Sequence, residues 1–171
     1  MKEEKFKYPT IIGDNFFNNL NEKIKISKEL KYYKPKKNDN WPGLRTESIH
    51  TTHPELFHAV VMKILSYYYP NTFIKFGNTS LVFSKIKKED KSKSHFHYDV
   101  NSKLAGLIYL SEGDLKSGTT LFNDNKKKQV IISNDINTMI VYDAMKYHGI
   151  TNLNVLEERL TINFFIREIN I

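Results

Sequence analysis

The chain is 171 residues long, the size of a single domain that can bury its own core. It contains no cysteine, so disulfides, thiolate zinc sites and cysteine nucleophiles are excluded. The net charge is +7 and comes mainly from lysine, because Arg45, Arg159 and Arg167 are the only arginines. We interpret the lysine excess as a coding bias, although a basic surface also suits polyanionic partners.

The first part of the chain, residues 1–72, is expected to be mainly helical. A short strand at residues 6–8 precedes a helix that Asp14 caps and that runs to about residue 30. A second, clearer helix spans residues 54–69, with Pro54 in its first turn. Its apolar face is formed by Phe57, Val60, Val61, Ile64, Leu65 and Tyr68.

Residues 73–171 have the pattern of short strands. Strands are predicted at residues 79–86, 104–110, 119–122, 130–132, 139–142 and 156–166. Helices followed by many strands predict an α+β chain: a double-stranded β-helix, or jelly roll, buttressed by N-terminal helices. We expect one domain, 1–171, whose site lies in the jelly-roll part.

A possible metal site lies at His95-Phe96-His97-Tyr98-Asp99. Residues two apart in a strand share a face, so His97 and Asp99 should point the same way. His148 is the best third ligand. Two neutral imidazoles and one carboxylate, with the other positions open, form the facial triad of non-haem Fe(II) oxygenases.

A possible anion site follows in the last predicted strand. Arg159 and Thr161 share one face of it, whereas Leu160 and Ile162 lie on the other. A guanidinium and a hydroxyl side by side suit a cosubstrate that carries a carboxylate.

The ordered set His-x-Asp, a long gap, His, and Arg-x-Thr resembles the Fe(II)/2-oxoglutarate-dependent dioxygenases. It is most similar to the prolyl-4-hydroxylase-like branch, in particular its small phage and bacterial members. Residues 108–111 resemble the strand after the metal motif, and residues 117–122 a Gly-Gly-x-Thr-x-Phe segment with Ser117 as its first residue. Residues 41–45 resemble a Tyr/Trp-Pro-Gly-x-Arg stretch. The likeness runs from Trp41 to the C-terminus.

The resemblance implies that His97, Asp99 and His148 bind Fe(II) and that Arg159 and Thr161 bind 2-oxoglutarate. The implied reaction uses O2 to hydroxylate a peptidyl, prolyl-like substrate or a small molecule, coupled to decarboxylation of 2-oxoglutarate to succinate. Ascorbate is an optional reductant. The absence of a signal peptide or a bilayer-spanning run favours the cytoplasm, of the host if the chain is phage-encoded.

Relatives often add a tyrosine to the site of the distal carboxylate. Here the two usual places hold Phe83 and Ile108, and Tyr109 is expected on the opposite face, so that Asn163 or Thr161 would replace the tyrosine hydroxyl.

Other residues near these motifs are left with open roles. We interpret Trp41 and Arg45 as an anchored turn on the barrel edge. The alternative is that they line the mouth of the active site and contact the substrate. His95 is expected behind the metal ligands or at the pocket rim, and Tyr98 is a candidate substrate contact. His50, His53 and His58 are expected to be structural.

Two other functions are also compatible with the sequence. One is a non-catalytic basic jelly-roll module whose lysines at 85–93 and 126–128 bind nucleic acid or an acidic protein. The other is a cupin-like metalloenzyme that does not use 2-oxoglutarate, which would leave Arg159 without a role.

Overall fold

The structure is a computed structural model that describes residues 6–37, 39, 41–87, 90, 95–113, 117–123, 129–150 and 158–171, with the backbone alone at His95 and Gln129. The helices are α1 (Leu20–Glu29) and α2 (Pro54–Ser66). The strands are β1 (Ile11–Gly13), β2 (Leu44–Arg45), β3 (Lys75–Lys87), β4 (His95–His97), β5 (Leu104–Tyr109), β6 (Thr119–Phe122), β7 (Gln129–Ile132), β8 (Met139–Asp143), β9 (His148–Ile150) and β10 (Glu158–Asn170).

The strands form two antiparallel sheets. The major sheet has six strands in the order β1-β8-β5-β10-β3-β2, and the minor sheet has four in the order β4-β9-β6-β7. The two sheets form a double-stranded β-helix, as predicted. The chain before β3 is not only helical, because β1 and β2 occupy the two edges of the major sheet.

The outer face of the major sheet packs against the helices. Along β10, Leu160, Ile162, Phe164 and Ile166 are buried in one cluster with Val61, Ile64 and Leu65 of α2. Burial of each such side chain contributes about 1.5–3 kcal/mol. The predicted apolar stripe of the second helix and its buttressing role are therefore confirmed.

The inner face of the major sheet looks toward the minor sheet. Thr161 of β10 is paired with Tyr109 of β5 and with Ser84 of β3, and Ser84 is paired with Arg45 of β2. Directly opposed residues in antiparallel strands point to the same side. These four side chains therefore form one row across the inner face.

The first helix differs from the prediction. It begins at Leu20, and the Asn19 side chain accepts a 3.3 Å bond from the Glu22 N–H, so Asp14 is not its cap. The cause is a tertiary contact: Asn137 accepts the backbone N–H groups of Phe16 and Phe17 at 2.9 and 2.8 Å. Those are the amides that the side chain of an Asp14 cap would accept, so they are unavailable to it.

The predicted strand at residues 6–8 is also wrong, and the first strand is β1, which pairs with β8. Tyr8 is instead held through its N–H, which donates to Asp143 Oδ2 at 3.2 Å. The other predicted strands are present, and β3 and β10 are longer than predicted because they pair with each other over nearly their full lengths. Residues 156 and 157, at the predicted start of the last strand, lie outside the described residues.

Candidate metal and anion site

Three side chains that could hold a metal ion converge between the sheets. His97 ends β4, and its direct partner in β9 is His148. His97 Nε2 lies 3.5 Å from Asp99 Oδ1, and His148 Nε2 lies 3.3 Å from Asp99 Oδ2. One potential ligand atom from each residue lies within 4.8 Å of the others. The donor set, two imidazole nitrogens and one carboxylate, fits a divalent first-row metal.

The backbone structure that places the Asp99 side chain in the cluster differs from the prediction. We expected it on the same strand as His97, but β4 ends at His97. Asp99 follows in a turn, where its N–H donates to the carbonyl of Ala144 at 3.0 Å. The carboxylate is therefore positioned by a backbone bond to the segment that leads into β9.

The orientation of the His148 ring is fixed by a backbone hydrogen bond. Its Nδ1 lies 2.8 Å from the carbonyl oxygen of Lys146. Because a carbonyl can only accept, Nδ1 carries a proton, and Nε2 is the ring nitrogen that faces the cluster. His148 is buried, and its ring packs 4.6 Å from the ring of Tyr142.

Asp99 is held as a carboxylate. Its burial alone would raise its pKa, but hydrogen bonds with His148 and His97 outweigh burial and hold the pKa well below the ordinary value. The cluster therefore offers a negative charge at neutral pH, as a cation site requires.

Arg159 lies nearby and is almost completely buried. Its Nη2 donates a long, 3.4 Å bond to Thr119 Oγ1, and its guanidinium lies 5.1 Å from the centroid of the Tyr109 ring. Its Nε is buried with no hydrogen-bond partner, and none of the ion pairs among the described residues involves it. A buried cation with no counterion is costly. This arrangement fits a ligand that brings its own carboxylate.

The orientation of Tyr109 contradicts the prediction. It lies on the inner face, with its hydroxyl 2.8 Å from Thr119 Oγ1, because it is the direct partner of Thr161 in the register between β5 and β10. A tyrosine therefore does stand beside the arginine.

Thr161 and Asn163 lie on the same face of β10 as Arg159. Thr161 donates to Asn163 Oδ1 at 2.6 Å, and it is Asn163 that lines the cavity described below. The role of Thr161 in cosubstrate binding remains a prediction.

A single cavity of about 290 Å³ joins the metal cluster and Arg159. Its wall includes all three potential metal ligands. It also includes two aromatic residues that were left open above, Trp41 and Tyr98.

The cavity wall also contains Arg45, for which an anchored turn was preferred to a place at the mouth of the site. Leu44 and Arg45 form β2 and pair with β3. Gly43 makes this close approach possible: it has a φ of +74°, and a Cβ there would lie 2.1 Å from the Lys85 carbonyl oxygen. The signal available in the sequence was the scarcity of arginine in a lysine-rich chain.

The remaining histidines are accounted for in part. His50 packs near Phe57 at 6.0 Å and His58 near Phe76 at 5.5 Å between ring centroids, which agrees with structural roles. His53 is the residue before α2. The side chain of His95 and most of the two lysine-rich loops lie outside the described residues.

Within the described part of the chain, neither helix is both long and apolar enough to cross a bilayer.

Comparison with known proteins gives fold matches only. No protein-family model matches the sequence, and no curated protein matches it significantly. Among solved structures, the chain is similar to SnoN, a non-heme α-ketoglutarate-dependent epimerase from nogalamycin biosynthesis, with a TM-score of 0.70 and 10% identity over 93% of this chain and 77% of that one. SnoN has also been solved with Fe³⁺, α-ketoglutarate and nogalamycin RO.

Two bacterial structures are also similar to this chain. A prolyl-4-hydroxylase from Pseudomonas putida has a TM-score of 0.63 and 12% identity, over 95% of this chain and 94% of that one. An oxidoreductase of the 2OG-Fe(II) oxygenase family from Burkholderia pseudomallei has a TM-score of 0.70 and 10% identity, over 92% and 84%. At these identities the comparisons establish a shared fold.

Proposed function

We propose that this chain, which has the fold of the Fe(II)/2-oxoglutarate oxygenases, is itself such an oxygenase, with His97, Asp99 and His148 as the metal ligands. Arg159 would hold the distal carboxylate of 2-oxoglutarate. One observation carries the proposal: a two-histidine, one-carboxylate cluster shares one cavity with a buried arginine that has no counterion among the described residues.

The bound metal and cosubstrate would supply the oxidising chemistry, in which 2-oxoglutarate and O2 are converted to succinate and CO2 as the substrate is oxidised. The chain's own residues position and protect the reactants. The hydrogen bond to the Lys146 carbonyl would orient His148 so that its Nε2 can bind the metal. The Tyr109 and Thr119 hydroxyls are bonded to each other, and Thr119 accepts a bond from Arg159, so the guanidinium is held in place before the cosubstrate arrives.

The type of oxidation is a finer proposal. We infer a hydroxylation of a peptidyl or small-molecule substrate, which the sequence likeness to prolyl-4-hydroxylases supports. The similar structures include both a prolyl-4-hydroxylase and an epimerase, so the fold is compatible with more than one outcome of the same oxidation.

The test is succinate formation from 2-oxoglutarate by protein loaded anaerobically with Fe(II) and then exposed to O2. We expect iron-dependent succinate from the wild type and none above background from His97→Ala or Arg159→Ala. Binding is measured in parallel with Mn(II) in place of iron. A wild type that binds Mn(II) but not 2-oxoglutarate would overturn the cosubstrate assignment, and one that binds neither would overturn the whole proposal.

A further inference from the structure

Arg45 reaches the cavity from the edge of the major sheet. Its main chain is held on both sides: it exchanges hydrogen bonds of 2.8 and 3.0 Å with Tyr33, and it is paired with Ser84 of β3. Thr161 of β10 is in turn paired with Ser84, in the row of side chains that crosses the inner face of the major sheet. Neighbouring strands are about 4.8 Å apart. The guanidiniums of Arg45 and Arg159 therefore enter one cavity from strands two positions apart.

The Arg45 guanidinium has no counterion among the described residues. Its Nε is buried without a hydrogen-bond partner, and no ion pair includes it. The carboxylate of Asp39 acts on it only through space, since Asp39 Oδ2 accepts the Lys36 N–H at 2.7 Å. Burial lowers the pKa of Arg45 to about 10, against the opposing effect of Asp99. The side chain is thus charged at neutral pH and has no paired anion in the described part of the chain.

The ring of Trp41 lies 4.9 Å from the centre of this guanidinium. A cation–π contact at this distance is made by the charge of the guanidinium and uses none of its N–H donors. The planar set of donors on a guanidinium matches the two oxygens of a carboxylate.

The summed charge of the lining side chains, a divalent metal and 2-oxoglutarate would be positive by one unit. Among the described residues that line the cavity, Arg45 and Arg159 are the basic side chains of the lysine or arginine type, and Asp99 is the carboxylate. A divalent metal and doubly charged 2-oxoglutarate cancel each other, and Asp99 balances one arginine. One positive charge then remains without a partner, which favours a substrate with a single negative charge.

We propose that Arg45, stacked on Trp41, binds a carboxylate of the prime substrate, so that the proposed oxygenase acts on a small carboxylic acid or on the carboxylate end of a peptide. The inference rests on the proposed function. The cavity, about 290 Å³, is at the lower limit for small-molecule sites and would also hold 2-oxoglutarate. The space left beside the cosubstrate therefore fits a small acid or one terminal residue better than an internal peptide segment.

The chain has a built-in reporter for this site, because Trp41 is its only tryptophan. Mn(II)-loaded protein saturated with 2-oxoglutarate is titrated anaerobically with acetate at constant ionic strength, and Trp41 fluorescence is recorded. Acetamide, which has the same shape without the charge, is the control ligand. We expect a saturable response to acetate and none to acetamide.

Variants separate Arg45 from the cosubstrate site. Arg45→Gln should weaken acetate binding by roughly tenfold to a hundredfold, the range for hydrogen bonds to charged groups, while retaining 2-oxoglutarate affinity and at least the thermal stability of the wild type. Arg167→Gln is the matched control, since Arg167 bonds Asn78 and Ser80 away from the cavity, and its acetate affinity should not change.

The outcomes are distinct. A wild type that binds 2-oxoglutarate but gives no saturable acetate response overturns this inference and leaves the proposed function intact. An acetate affinity unchanged in Arg45→Gln also overturns it. Loss of 2-oxoglutarate affinity in Arg45→Gln overturns it as well, because Arg45 would then serve the cosubstrate. Failure of the wild type to bind 2-oxoglutarate overturns the proposed function and this inference with it.

The source of the carboxylate is identified with the same readout. Free L-amino acids are compared with N-acetylated tetrapeptides that end in the same residues, each with a free or an amidated C-terminus. Response to the free amino acids supports a small-molecule substrate, and response only to peptides with a free C-terminus supports a peptide end. Equal binding of amidated and free peptides counts against the carboxylate.

Discussion

His97 and His148 are directly opposite each other in the antiparallel pair of β4 and β9, and their ring centroids lie 4.5 Å apart. The geometry of the metal cluster therefore depends on the register of two short strands of the minor sheet. A slip of one residue would turn one of the two rings to the other side of that sheet.

The first prediction concerns metal affinity. His148→Ala should lower the affinity for Mn(II) by at least about tenfold to a hundredfold, because the remaining two ligands cannot close the facial arrangement. Calorimetric titration of the iron-free protein measures this. His58→Ala is the matched control, since His58 lies on α2 beside Phe76, and equal losses in the two variants would argue against a metal role for His148.

The second prediction concerns the buried charge of Arg159. Arg159→Met should raise the free energy of unfolding of the ligand-free protein by about 1–3 kcal/mol, because it removes a buried donor without a partner. It should also abolish the stabilisation that 2-oxoglutarate gives to the wild type. Urea unfolding with and without 2-oxoglutarate and Mn(II) measures both effects. A destabilised Arg159→Met would mean that the guanidinium supports the fold rather than a ligand.

The third prediction concerns the Arg159 guanidinium, whose paired N–H donors can bind both oxygens of a carboxylate. Arg159→Lys retains the charge but loses two-point contact with a carboxylate, so the Kd for 2-oxoglutarate should rise roughly tenfold or more. Arg167→Lys should leave that Kd unchanged. Titration of Mn(II)-loaded protein provides the measurement, and an unaltered Kd in Arg159→Lys would exclude a bidentate contact.

The fourth prediction concerns Gly43, which holds β2 against β3. Gly43→Ala should destabilise the protein by about 1–3 kcal/mol, because the new Cβ meets the Lys85 carbonyl oxygen at a positive φ. The control is Gly77→Ala, where the nearest obstacle is the Glu168 side-chain tip, which can rotate. Urea unfolding compares the two, and equal stability of both variants would show that β2 adjusts without cost.

The fifth prediction follows from the lowered pKa of Asp99. A carboxyl group whose pKa is lower in the folded state stabilises the fold above its unfolded-state value, about 3.9, and loses that contribution as the pH falls through its folded-state pKa. The metal-free wild type should therefore be more stable than Asp99→Asn near neutral pH, and the difference should shrink below about pH 4. Urea unfolding across that range measures it, and a pH-independent difference would contradict the assignment.

What the sequence predicts well depends on local pattern. Side chains along a strand alternate between its two faces, so the sequence of β10 alone is enough to place Arg159 and Thr161 on one face. The apolar stripe of α2 is likewise local. The convergence of His97 and Asp99 is present, although a turn rather than a strand produces it.

The differences arise where distant segments meet. The face of Tyr109 is set by its register against β10, and the start of α1 by the contact of Asn137 with Phe16 and Phe17. The position of Arg45 depends on an edge strand of only two residues. None of these relationships repeats along the chain, so no periodicity reveals them.

The two-residue strand β2 lies at the edge of the major sheet, whereas the potential metal ligands come from β4, β9 and the turn between β4 and β5. The segment proposed to recognise the substrate is thus separate, in sequence and in sheet, from the segments proposed to perform oxidation. Changes within residues 41–46 could exchange one acid for another and leave the oxidising machinery untouched. Selectivity in this scaffold would then evolve by replacing a short border strand.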